Sequence, residues 1–128
     1  MAKGIELREA HFPGRAPIDT YGNGGFRFAD MSHRGSILCL PSGIFGWEMQ
    51  EGDPLTVAAF DKVLADAAGI EVLLVGTGTN LRPIPAELRA ALKARGIASD
   101  PMGTGAAVRT FNIMLAESRA VAAALIAV

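Results

Sequence analysis

An α/β domain is what this sequence predicts, and three observations predict it. Up to about Gln50 the chain breaks into short apolar stretches separated by turn residues. Beyond Gln50, helical spacing alternates with short apolar runs. The third observation is Glu71-Val72-Leu73-Leu74-Val75-Gly76-Thr77-Gly78-Thr79-Asn80, a continuous apolar run that ends in a loop with two glycines. Such a run reads as a strand buried on both faces, finishing where backbone can approach a ligand or another segment closely. In open α/β sheets, binding sites collect beyond the carboxyl ends of such strands.

The elements follow in chain order. Ile18–Tyr21 reads as a strand, and Gly22-Asn23-Gly24-Gly25 as a turn of residues that tolerate positive φ. Phe26–Ala29 alternates like a half-buried strand. Met31–Gly35 reads as a turn into the strand Ser36–Leu40, Pro41-Ser42-Gly43 breaks that strand, and Ile44–Met49 begins another. The pattern is a meander of short antiparallel strands. Asp53-Pro54 is a helix start, with Asp53 as cap and Pro54 at the first helical position. Val57, Phe60, Val63, Leu64 and Ala67 then recur at helical spacing up to Gly69.

After the glycine loop, Pro83 and Pro85 impose an extended lead-in to a helix over Ala86–Arg95, stopped by Gly96. Ile97-Ala98-Ser99 reads as a short strand, and Pro101–Gly105 as a loop with Thr104 as candidate N-cap. Ala106–Ala116 is a helix with Ala107, Val108, Phe111, Met114 and Leu115 inward. The tail from Ala120 to Ile126 is ambiguous: alanine favours helix, and the periodicity leans that way, while its length also suits a buried strand.

The totals bound the class. At 128 residues the chain reads as a single domain, 1–128, long enough to bury roughly two-thirds of its unfolded surface. A net charge of -1, with basic residues spread singly, argues against a general nucleic-acid binder. No span is long enough to cross a bilayer, so no direct membrane insertion is expected. Met1–His11 has no apolar core and carries Glu6 and Glu9, which count against a targeting peptide; the expectation is a cytoplasmic protein. The one cysteine, Cys39, excludes an internal disulfide framework and reads as a small apolar core residue. With His11 and His33 far apart in sequence, no three or four ligands stand at metal-binding spacing, and neither metal nor cofactor is expected.

Two constellations remain for chemistry. Gly76, Thr77, Gly78 and Thr79 begin like a dinucleotide fingerprint, but Leu81 stands at the third glycine position and Pro83 delays the helix. The bland reading, which takes precedence, is a structural turn with buried threonines. The sharper reading is a backbone nest for a small anion or metabolite. Thr104, Arg109 and Asn112 form the second group; Arg109 and Asn112 share a helix face and could converge with the glycine loop on an anionic pocket. Their bland roles are a surface ion pair and a loop tie. No serine stands in a nucleophile elbow and no carboxylate pair is singled out, so no catalytic residue is assigned. Phe45 and Trp47, two apart on a strand, share a face and are core or an aromatic patch for a partner.

Residues Gly43–Trp47, Leu73–Gly78, Gly96-Ile97, Met102-Gly103-Thr104, Arg109–Asn112 and Glu117–Ile126 together resemble a family of small uncharacterised α/β domains that includes the mitochondrial assembly factor for respiratory complex I. The resemblance covers nearly the whole chain and is most specific in its C-terminal block. It implies three layers: a central mixed sheet, helices on one side and a small antiparallel β layer on the other. It also implies that Val121–Ile126 is the last strand, that members lack an established enzymatic activity, and that the mitochondrial relative acts through protein partners. The chain departs from the common pattern at Ser118, where glycine is usual, and at Ala107, where cysteine is common; the second argues against thiol chemistry there.

The reading is therefore a bacterial-type, non-catalytic cytoplasmic domain that binds an as yet unidentified protein partner in assembly of a membrane complex. The alternative is a small-anion or metabolite-binding domain, or cryptic enzyme, with its pocket at the Gly76–Asn80 loop. Oligomeric state is left open.

Overall fold

The computed structural model describes residues 10–128. Its centre is a six-stranded mixed sheet of β1 (Ala10–Phe12), β6 (Gly43–Trp47), β5 (Ser36–Leu40), β9 (Val121–Leu125), β7 (Val72–Gly76) and β8 (Ala98–Met102), in that order. β9 and β8 run parallel to β7, whereas β5 is antiparallel to both β6 and β9. A second sheet has three antiparallel strands, β2 (Thr20–Gly22), β3 (Gly25–Phe28) and β4 (Met31–Arg34). The expected α/β architecture is therefore present.

Alternation along the central strands builds two cores. Leu38, Leu40, Leu73, Val75, Ala122 and Ala124 face one side, where they meet α1 (Asp61–Ala65) and α2 (Ala86–Ala94) through Val63, Leu88 and Leu92. Ile37, Cys39, Leu74, Val121, Ala123 and Leu125 face the other side. There the small sheet contributes Phe26 and Phe28, and beside it α3 (Thr104–Ala116) contributes Ala107, Val108 and Phe111. The layers are thus α1 and α2, the central sheet, and the small sheet with α3 alongside.

β9 resolves the ambiguity of the C-terminal segment in favour of the strand implied by the resemblance. Its three alanines are 0% exposed and are flanked on either edge by β5 and β7. Alanine's helical preference amounts to only tenths of a kcal/mol per residue, and tertiary pairing overrides it.

Three local readings change, while the turn expected at Gly22–Gly25 is present. Met31–Arg34 is a strand, not a turn; the break falls at Gly35, φ +100°, whose N–H donates to the Gly24 carbonyl. The β2–β3 loop is Asn23-Gly24, with φ of 52° and 78°, the pair of positive values that a type I′ hairpin requires. Asp53 does not cap a helix: its carboxylate accepts the Gln50 N–H at 2.9 Å and closes a turn, and helical structure starts only with a 3-10 turn at Ala58–Phe60. Finally, β8 runs through Pro101 to Met102. The Ala98 N–H reaches the Glu71 carbonyl and the Met102 carbonyl accepts from Thr77, so even-numbered residues bond inward. Pro101 points its missing donor at the outer edge, the one place in a sheet where proline costs little and blunts further pairing.

α3 ends in a reciprocal cap: the Ser118 N–H donates to Leu115 and the Arg119 N–H to Met114, with Ser118 left-handed at φ +60°. The resemblance implies glycine at this position, and the left-handed backbone gives the physical reason, because a Cβ is disfavoured in that conformation. Ser118→Gly is expected to stabilise the protein by about 0.5–1 kcal/mol, seen as a rise in thermal midpoint; an unchanged or lower midpoint would show the turn to be unstrained.

Candidate functional site

β7 and β8 end side by side. From β7 the chain turns to α2 on one face of the sheet, and from β8 to α3 on the other. Their carboxyl ends flank a topological switch point, where α/β folds place ligands. The glycine loop occupies this point. At Gly76 an added Cβ would lie 3.1 Å from Leu125 Cδ2, Thr104 Cα and Thr104 Oγ1, so glycine lets the first turn of α3 sit directly on the strand.

Thr104, fully buried, is the hub. Its hydroxyl donates to the Ile126 carbonyl at 2.7 Å and accepts the Gly78 N–H at 3.0 Å. Its own N–H returns to the Gly78 carbonyl at 2.9 Å. It is the first residue of α3, with Gly103 in the cap position, rather than the cap itself. Thr77, 1% exposed, donates to the Asn80 carbonyl at 2.7 Å and accepts the Arg82 N–H at 3.0 Å. Its N–H reaches the Met102 carbonyl. The Thr79 N–H is taken by the Glu51 carboxylate, which also fills the space beside Gly78, φ +108°.

All three consecutive donors of the nest therefore have acceptors within the chain. Glu51 stands where an anion-binding reading would put its ligand. The sequence held no signal for this: Glu51 lies 28 residues from Thr79 and reads as ordinary surface. Arg82, also missed, donates from Nη2 to the Asp53 carbonyl at 2.9 Å, while its buried Nε has no partner among the described residues. Glu51 and Arg82 together hold the 50–53 turn against the loop.

Gly76, Thr77, Gly78, Thr79 and Thr104 thus come together. Asn112 works elsewhere: its amide donates to the Ile18 carbonyl at 2.8 Å and accepts the Ile18 N–H at 2.9 Å, fastening the strand lead-in of the small sheet to α3. Arg109 is exposed. Five residues on from Thr104, it lies roughly 140° round the helix from the hydroxyl that meets the loop.

The other side of the 50–53 turn bounds a cleft of about 650 Å³. Trp47 and Met49 form its apolar wall, and Glu48, Asp53 and Asp61 stand among its lining residues. Trp47 is half-buried and held in one orientation, its indole N–H donating to the Ala59 carbonyl at 2.9 Å and its ring meeting Phe60 edge-on at 5.2 Å. Phe45 lies under Lys62, whose ammonium sits 4.9 Å from the ring centroid.

Among the described residues, no group of three or more His, Cys, Asp or Glu could hold a metal ion, and no helix is long and apolar enough to cross a membrane. Burial pushes the Cys39 thiol well up from its ordinary range, which keeps it protonated and inert.

The layered mixed sheet, its hydrogen-bonded switch-point loop and the Trp47 cleft define a small α/β domain. The chain belongs to the family described as proteins of unknown function (DUF498/DUF598), whose model matches residues 18–126. An uncharacterized protein of Rhodobacter capsulatus is 36% identical over 122 residues, covering 93% of this chain and 90% of that protein. The mouse NADH dehydrogenase [ubiquinone] 1 alpha subcomplex assembly factor 3 is 30% identical over 122 residues, covering 95% of this chain; the chain spans 66% of that relative's length. Among solved structures, one described as an outer membrane protein from Bartonella henselae is 63% identical with a TM-score of 0.87, covering 91% of this chain and 98% of that one. A Rhodopseudomonas palustris protein is 45% identical with a TM-score of 0.82, covering 100% and 93%.

Two outcomes follow from the buried groups. Thr104→Val keeps the shape but strands the Gly78 N–H and the Ile126 carbonyl, so denaturant unfolding should show a loss of about 2–4 kcal/mol. Cys39 should resist a thiol reagent in the native protein at about pH 8 and react at once when guanidinium unfolds it; rapid native labelling would contradict its burial.

Proposed function

We propose that this domain binds a protein partner at the Trp47 cleft, without catalysis, in the cytoplasm, and that the partner belongs to the biogenesis of a membrane complex. The observation that carries the reading is the state of Trp47. It is the chain's one tryptophan, it walls a concave opening, and its orientation is fixed by a hydrogen bond and a ring contact. A pre-oriented indole beside polar rim groups is what interface hot spots are made of, because little freedom is left to lose on binding. Phe45 supports it from the same strand. The assembly context rests on the relatives named as complex I assembly factors, at 30% identity for the mouse protein. The closed hydrogen bonding of the Gly76–Asn80 loop weighs in the same direction, since a ligand there would have to displace Glu51 from the Thr79 amide.

Affinity capture from the native host tests this, with Trp47→Ala and the exposed rim variant Glu48→Arg beside the parent protein. Both are expected to lose the same partner by at least about tenfold, while Arg119→Ala, distant from the cleft lining, retains it. A partner held equally by all variants places recognition elsewhere. Because Trp47 also touches the core, thermal midpoints are compared first; Glu48→Arg leaves packing untouched.

A further inference from the structure

We propose that the outer face of the small sheet is a binding site for a phosphoryl group, at Arg27 and Arg34. This goes beyond the partner reading and uses none of the cleft residues. The site follows from register. Thr20 pairs with Arg27 and Arg27 with Ser32; Gly22 pairs with Gly25 and Gly25 with Arg34. Phe26 and Phe28 point to the core, so these two rows point outward. Arg27 and Arg34 are diagonal neighbours across β3 and β4, a spacing of about 7–8 Å that long side chains easily bridge.

Between them the floor is bare. Gly22 and Gly25 carry no side chains, and a Cβ at Gly25 would run into the His33 carbonyl, so the floor must stay bare. The result is a concavity of about 520 Å³ with no carboxylate among its lining residues. Both arginines are exposed, and neither makes an ion pair with a described residue; Arg27 donates only to Ser32 Oγ, at 2.6 Å. Two neighbouring guanidiniums repel each other. One tetrahedral oxyanion placed over the glycine row relieves that repulsion and takes a fork of donors from each side. Ser32, Thr20 and the Asn23 amide offer further donors at the rim. Such a group is carried by a soluble phosphorylated metabolite or by a phospholipid headgroup.

The test is an amide NMR titration of the intact protein with inorganic phosphate, against chloride at matched ionic strength. A second arm measures co-sedimentation with phosphatidylcholine vesicles with and without phosphatidylglycerol. Saturable shifts at Gly22, Gly25, Arg27 and Arg34 are expected with phosphate and not with chloride. Arg27→Gln and Arg34→Gln should each weaken them about tenfold, and Arg89→Gln should not. A response to free phosphate alone supports a soluble ligand; arginine-dependent sedimentation with anionic vesicles alone supports a headgroup. Silence in both arms overturns the site. So do shifts that track ionic strength, or that survive in the double variant, whose remaining spectrum reports that it is folded.

Discussion

Three chain segments meet at one buried hydroxyl, and the arrangement of this domain depends on it. Thr104 Oγ1 accepts from the loop after β7 and donates to the residue after β9, while its backbone opens α3. Gly76 keeps the junction close: the helix start stands 3.1 Å from where a Cβ would be, tighter than ordinary packing. A side chain at that position would require Leu125 or the first turn of α3 to give by a few tenths of an ångström. The glycine loop, which looks in sequence like a ligand cradle, is thus explained as the packing joint between the central strand and the helix that crosses it.

The same demand for closeness sets the composition of β9. This strand sits between β5 and β7 with helices and a second sheet pressing from opposite faces. Ala122, Ala123 and Ala124 are small on both faces, so Leu38 and Leu73 on one side and Ile37 and Leu74 on the other carry the volume. Interiors are packed to near-crystalline density, and large neighbours leave room only for small residues between them. A strand chosen for this purpose carries little strand signature of its own.

That is why legibility was uneven. β5, β7 and α2 were plain because each combines a strong pattern with its own punctuation: a continuous apolar run, or helical spacing closed by Gly96. β4 was hidden because Met31-Ser32-His33-Arg34 owes its strand state to pairing with β3 rather than to its own alternation. Asp53-Pro54 misled because an aspartate side chain that can cap a helix can equally close a turn upstream. At the switch point, sequence singled out the loop and Thr104, the latter as a helix cap that the structure gives to Gly103, yet it could not supply Glu51 or Arg82, whose contacts span 28 and 29 residues. Of the two roles open to Asn112, pocket residue or loop tie, the amide takes a tie, to the backbone of Ile18, a bond between segments 94 residues apart that no local pattern encodes.

These contacts shift where function can reside. The architectural precedent points to the carboxyl ends of β7 and β8, but a fold gives a site its place and not its occupant. Here the chain has answered its own donors: Met102, Thr104 and Glu51 take the three amides in turn. What the fold leaves open lies at its periphery, on opposite sides of the central sheet. The Trp47 cleft is attached to the face covered by α1 and α2, whereas the paired arginines stand on the small sheet that covers the other face. Asn112 anchors that small sheet to α3, and α3 is anchored to the switch point by Thr104. The hydrogen-bonded loop is therefore the joint through which α3, and with it the lead-in of the small sheet, is tied to the central sheet.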